Sequence, residues 1–489
     1  MNAKKRKKKL IIFLNNLLMF SSVILVVCLL VFMIQGWTLK QGVATQTGLV
    51  QFASNPQGAT VEIGQNTLYS RTNTKANVVP GEHEFKIWRE GYETWYRKTD
   101  VRAGQILWLN YARLVPKQKT THEVAEFNNL EQIMKFPNGQ KLLSLSKNTE
   151  GLTEFKITDI RGDLPKTEVL KVPESLMVRE VSNQDEQSAE AQPAPYKFTI
   201  NYISADGSHA IVKRQAGDDL NWLLLDLNSP NNSQNLTERF NLQFDEIAPL
   251  NDSSTQIIVK TGEAVRRLNT RDDTVSASIL NKIVDFEVYG NDIISFVQKN
   301  DDKFDVGVLK IGDKPVIVAS DYEVAPKITV SRYYNENYIN VLTDNKIQVY
   351  KSSSWPAAEN NFKLARTLEP TVEAESFRLN SEGRFVLVQN GDKIWVYDFE
   401  INRSYNYSLD DKTNSARWLD SFILYDFTST EENKTMLTIR DFDGTNKHSL
   451  VEASRNFPAF LSNNGKYIYV VQSGEDGVNQ LVQLRMILN

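Results

Sequence analysis

Two tryptophans sit where a recognition surface could use them. In EFKIWREGY (84–92) the two-residue period of a strand places Phe85 and Ile87 on one face, and Trp88 on the other with Lys86 and Glu90. An indole on an otherwise polar face can stack on a sugar ring or anchor a protein partner, and it can equally pack against a neighbouring loop. Trp108, in QILWLNYA (105–112), lies opposite Leu107 and Leu109 on a segment that is apolar on both faces. Trp88 and Trp108 are therefore the candidate surface-binding residues.

Residues for catalysis are scarcer. The four histidines, His83, His122, His209 and His448, stand in no metal-ligand spacing with one another or with a cysteine. There is no G-x-S-x-G elbow, no phosphate-binding loop and no dinucleotide fingerprint. DFDGTN (441–446) resembles the start of a calcium loop but lacks the later acidic ligand, so it reads as a turn. A carboxylate pair for glycoside cleavage would be assembled in space, and no pair stands out in the sequence. No catalytic, cofactor-binding or metal residue is expected, and the chain reads as a non-enzyme.

The elements that must position the tryptophans begin at a membrane signal. KKRKKK (4–9) carries +6 of a net charge of −4, so the rest of the chain carries −10. An acidic body excludes a nucleic-acid partner. The basic run abuts LIIFLNNLLMFSSVILVVCLLVFMI (10–34), whose 25 residues are enough to cross a bilayer. It is longer than the apolar core of a cleaved signal peptide, and no small-residue cleavage site follows. Bulky Val26 and Val27 before Cys28 exclude a lipid-anchor motif. Six basic residues precede the span and only Lys40 lies in the ten after it, so residues 1–9 are expected in the cytoplasm and everything beyond Trp37 outside. Cys28 is the sole cysteine, which suits a bacterial plasma-membrane protein better than a disulfide-rich secreted one.

Residues 48–116 read as short strands between strong turn signals, a mainly β unit with no helical periodicity. Pro56, Gly58 and Ala59, then VEIG (61–64), PGEHEFKIWREGY (80–92) and VRAG (101–104), together resemble the PEGA domain. The resemblance departs from the family at Gln57, where the family name has Glu, and in the loop LYSRTNTK (68–75). The strands themselves fit a compact β-sandwich or small barrel, and the resemblance implies a binding or spacer module outside a bacterial or archaeal membrane, without catalytic residues.

From about residue 120 to 489 the chain repeats a rhythm of turn, apolar strand, polar loop and second apolar strand. Eight units recur at roughly 40–47-residue spacing after a longer first interval, beginning with PNGQKLLSLS (137–146) and ending with SNNGKYIYVV (462–471). That period suits four-stranded propeller blades, and the S-x-D-G turns and strands such as IWVYD resemble TolB-like and WD-repeat-like propellers. Eight blades are expected, or seven if the weak unit at 251–269 is not one. The long first interval holds a Pro/Ala-rich polar segment, 173–195, expected as a flexible loop. HEVAEF (122–127) is a strand without a unit and is expected to complete the last blade, leaving no open edge. The whole reads as a single-pass scaffold of the cell envelope binding a glycan or an envelope protein. The alternatives are a propeller glycosidase or lyase, and a structural subunit of an envelope complex.

Overall fold

A computed structural model describes the chain except residues 1–2, 35, 41–42, 179–195, 251–253, 357–358, 375, 413, 431–433, 475–476 and 489. The chain divides into two compact units, Met1–Gln118 with Met486–Asn489, and Lys119–Arg485.

The first unit opens with one helix, Ala3–Ile34. Its backbone runs through the basic segment without a break, and its stretch Ile11–Phe32 has a mean hydropathy of 2.4. A short hairpin follows, Trp37–Lys40 against Val43–Gln46, which the sequence did not announce. Phe32 stacks on Trp37 at 5.8 Å, and both the backbone N–H and the hydroxyl of Thr47 donate to the Gly36 carbonyl.

Two sheets then enclose one core. Gly48–Asn55 pairs antiparallel with Thr74–Val78 and parallel with Ile106–Arg113. The facing sheet orders Asn66–Thr67, Thr60–Ile63, Gly81–Trp88 and Trp95–Val101. Alternation decides what lies between them: Val50 and Phe52 from one sheet meet Val61, Phe85, Ile87 and Trp95 from the other, all buried. Each such side chain contributes roughly 1.5–3 kcal/mol by leaving water. Met486–Asn489 belong to this unit, four residues that the repeat reading had assigned to the second. The Leu488 N–H donates to the Tyr92 hydroxyl at 2.7 Å, and the Leu488 side chain packs on the sandwich core.

In the second unit, the described residues form six four-stranded antiparallel sheets and one seven-stranded sheet, nearly all of it meander in chain order. This is the sheet order of a propeller-like fold. The weak unit at 251–269 is a full member: Glu246–Pro249, Gln256–Thr261, Ala264–Asn269 and Thr274–Val275 make one sheet. Of the expected loop at 173–195, Glu174–Met177 is a helical turn with Leu176 buried in the core, and 179–195 lie outside the described residues.

The seven-stranded sheet has one cause. HEVAEF is not a separate strand but half of a 15-residue strand, Thr121–Lys135. Its first half pairs with Val478–Arg485 and its second half, Gln132–Lys135, with Lys141–Lys147. The strand thus joins the first and last repeats. A turn glycine of the second repeat also sits close against the first. A Cβ on Gly207, whose φ is +71°, would come within 2.8 Å of Phe136 in the preceding repeat. The side-chain amide of Asn463 donates to the Asn138 carbonyl at 2.5 Å.

Candidate functional site

The four-stranded sheet of the first unit presents the best-built polar and aromatic face. Phe85 and Ile87 point into the core, so Lys86 and Trp88 point outward, as their spacing requires. Trp88 is 39% exposed. Its indole N–H donates to Glu62 Oε1 at 2.8 Å from the adjoining strand, which fixes the ring while leaving much of it in water.

The opposite neighbour of Lys86 is Tyr96 on Trp95–Val101. Trp95 is buried, so Tyr96 faces out, 37% exposed. Its hydroxyl hydrogen-bonds the Glu84 carboxylate. Partial desolvation and that carboxylate hold the phenol above its usual range. Lys98 pairs with Glu82 at 2.9 Å on the same face. The arrangement is two outward aromatics flanking a lysine, each with its polar tip held by a carboxylate. It can stack on apolar faces of a ligand, accept hydrogen bonds from hydroxyls and donate one from Lys86.

The structure does not bring Trp88 and Trp108 together. Trp108 is half-buried on Ile106–Arg113, in the other sheet, opposite Gln51 and outside the core cluster. The two indoles lie on outer faces of different sheets and cannot form one platform. Tyr96 and Glu62 were missed. Period two would have turned Tyr96 outward once Trp95 was assigned to the core, but its position beside Lys86 depends on register, which no local signal carries.

In the second unit, side chains on the first strands of several sheets clip one repeat to its neighbour. The Gln132 amide donates to the Ile200 carbonyl at 2.7 Å and accepts from its N–H at 2.8 Å. Glu287 Oε2 accepts from the Val330 N–H at 3.1 Å, and burial pushes this carboxyl up to about 7. Lys135 Nζ donates to the Leu461 carbonyl at 3.2 Å, and desolvation lowers its pKa. Ion pairs are also buried in this unit, with Arg384 gripping Asp398 through Nε and Nη2 at 3.1 and 2.7 Å. In DFDGTN the Asp443 carboxylate accepts from Thr445, and Asp441 accepts from Asn446, so the turn consumes its own carboxylates. No group of three His, Cys, Asp or Glu side chains placed for a metal occurs among the described residues.

Residues 47–118 are a PEGA domain by match to the model of that family. No curated protein sequence matches the chain. Among solved structures, the chain is similar to one described as an oligogalacturonate lyase in complex with manganese, at 10% identity and a TM-score of 0.40, covering 73% of this chain and 98% of that one. It is similar to a prolyl endopeptidase at 10% identity and a TM-score of 0.46, covering 74% of this chain but only 55% of the peptidase. It is also similar to the Dos1 propeller at 11% identity and a TM-score of 0.44, with 74% and 94% covered. These are likenesses of β-propeller fold, and the propeller assignment here stands on the sheet order.

Proposed function

We propose that the chain is a non-enzymatic, membrane-anchored binding protein of a bacterial envelope, recognising a glycan through the outer sheet face of its PEGA domain. The observation that carries this is the Trp88–Glu62 and Tyr96–Glu84 pairing around Lys86. Rings held by carboxylates lose little further freedom on binding, and an aromatic pair on a flat sheet suits a pyranose ring better than a deep pocket would.

The apolar helix is the anchor, with the basic segment 4–9 inside and the two units outside by the positive-inside rule. The second unit is an eight-bladed wheel, in which the seven-stranded sheet counts as two blades sharing Thr121–Lys135. A closed wheel offers no open strand edge and supplies a rigid body for further contacts.

The test uses the full chain in lipid nanodiscs and purified cell-wall glycan. Trp88→Ala and Tyr96→Ala are each expected to weaken binding about fivefold or more, from about 1 kcal/mol per stacked ring. Trp108→Ala is expected to leave it unchanged. Binding that survives the Trp88→Ala, Tyr96→Ala double substitution would sink the glycan reading. Loss of a protein crosslink in that variant, with glycan binding absent from the wild type, would make the partner a protein.

A further inference from the structure

We propose that a cleft beside the fifth repeat of the propeller-like unit binds a short zwitterionic peptide, one that carries both an ammonium group and a carboxylate. This site is separate from the PEGA face and does not rest on it.

The fifth repeat is the sheet formed by Lys327–Tyr333, Glu336–Thr343, Lys346–Ser352 and Lys363–Leu368. Its register sets Lys327, at the start of the first strand, opposite Leu342 on the second. Cross-strand partners share a face, so the lysine lies beside Leu342 on the side turned toward the next sheet. Two residues beyond Leu342 the chain reverses at Asp344 and Asn345, both at positive φ as a tight two-residue hairpin requires. The Asn345 side chain then fixes that turn to the loop after the sheet. Its Oδ1 accepts the Ala374 N–H at 2.9 Å, and its Nδ2 donates to the Pro370 carbonyl at 3.5 Å. The start of the first strand, this turn and this loop enclose a cleft of about 480 Å³, within the size range of small-ligand sites.

The lining has two parts. Val324, Ala325 and Leu342 give it an aliphatic patch, and Lys327, Asp344 and Glu373 stand around that patch. None of these three charged side chains has an ion pair or a side-chain hydrogen bond among the described residues. Nearby charges do. Lys346 pairs with Glu369 at 3.3 Å, Lys351 with Glu336 at 3.2 Å and Lys303 with Glu323 at 3.4 Å. Three charges that the fold leaves unmatched thus meet in one cleft. Asp344 and Glu373 can hold an ammonium group, Lys327 a carboxylate, and the aliphatic patch the body between them. A peptide of two or three residues supplies all of these groups. A neutral sugar supplies neither charge, and a simple anion meets two carboxylates for one lysine.

The experiment is calorimetric titration of the full chain in lipid nanodiscs with the tripeptide Ala-Lys-Ala, its C-terminal amide, its fully N-acetylated form, and maltotriose. Ala-Lys-Ala is expected to bind with an affinity that falls as salt rises. Blocking the carboxylate or the ammonium groups is expected to weaken binding about threefold or more, and maltotriose is expected not to displace the peptide. Asp344→Asn combined with Glu373→Gln is expected to weaken Ala-Lys-Ala about tenfold or more and to leave the acetylated peptide unchanged. Lys327→Gln is expected to weaken Ala-Lys-Ala and to leave the amide unchanged. Asn tolerates the positive φ of position 344, and all three positions are exposed, so these variants keep the fold. Asp313→Asn, the same change at an exposed site after the third strand of the preceding sheet, is expected to have no effect. Absence of Ala-Lys-Ala binding to the wild type, or equal binding by the wild type and the double variant, would overturn the proposal. Failure of the Trp88 experiment leaves this one standing, because the two sites lie in different units and take different ligands.

Discussion

Glu287 offers the sharpest test of how the repeats are clipped together. Its carboxylate accepts the Val330 N–H of the next sheet, and burial pushes its pKa from 4.5 up to about 7. The charged groups near it are Asp285, itself raised by desolvation and by Glu246, and Tyr289 with Arg332 beside it. A carboxyl raised on folding binds more protons in the native state than in the unfolded one between those two values. Its contribution is therefore fully present below about pH 4.5 and lost as pH rises through 7. A shift of this size corresponds to about 3 kcal/mol once both states are ionised. Glu287→Gln keeps an acceptor for Val330 but removes the titration. Relative to wild type, the variant is expected to be nearly neutral at pH 4 and more stable by about 3 kcal/mol at pH 9. Urea unfolding of both proteins at several pH values measures this. Taking the difference cancels the other titrating groups, provided that they do not couple to Glu287. A variant-minus-wild-type difference that stays flat from pH 4 to 9 would show that Glu287 is not held in a desolvated clip.

Three further outcomes can be checked by the same unfolding measurements. Asp398→Ala strips the buried Arg384 of its bidentate partner and is expected to cost about 3 kcal/mol or more, with Glu400 alone unable to replace it. Gly207→Ala places a methyl against Phe136 at a backbone angle that L residues avoid, for an expected loss of about 1–3 kcal/mol. Tyr92→Phe removes the hydroxyl that accepts the Leu488 N–H and is expected to lower the stability of the first unit by about 1 kcal/mol, seen as faster amide exchange at Leu488.

Features with a local cause were legible in the sequence. Turns such as PNGQ and SADG announce themselves because Gly139 and Gly207 must take positive φ, and the strands beside them are apolar runs bounded by those turns. Trp88 could be turned outward from period two alone. The closing strand was legible at HEVAEF because an apolar alternation without a unit of its own needs a partner. Its continuation through Asn129 to Lys135 was not, since the shift between Asn128 and Gln132 interrupts the period. Tyr96 beside Lys86, and the clips from Gln132 and Glu287, join residues 10 to 68 positions apart. Such pairs are set by register and by packing between sheets, which composition and spacing do not encode. The third repeat has unusually short outer strands, four residues in Glu246–Pro249 and two in Thr274–Val275.

The strand Thr121–Lys135 has a consequence for how the protein is made. Its second half meets a partner a few residues away as soon as Lys141–Lys147 exists, whereas Glu126 waits for Gln480, 354 positions later. Closing a span that long costs about 3 kcal/mol more in chain entropy than closing a hairpin of a dozen residues. During synthesis, then, the segment from Thr121 to Asn128 stands as an unfilled template while the intervening repeats emerge. Glu123 and Glu126 place charge on that template, which discourages a stray strand from another copy. The last repeat arrives to a waiting edge, and the pairing of Thr121–Asn128 with Val478–Arg485 is expected to form late in assembly.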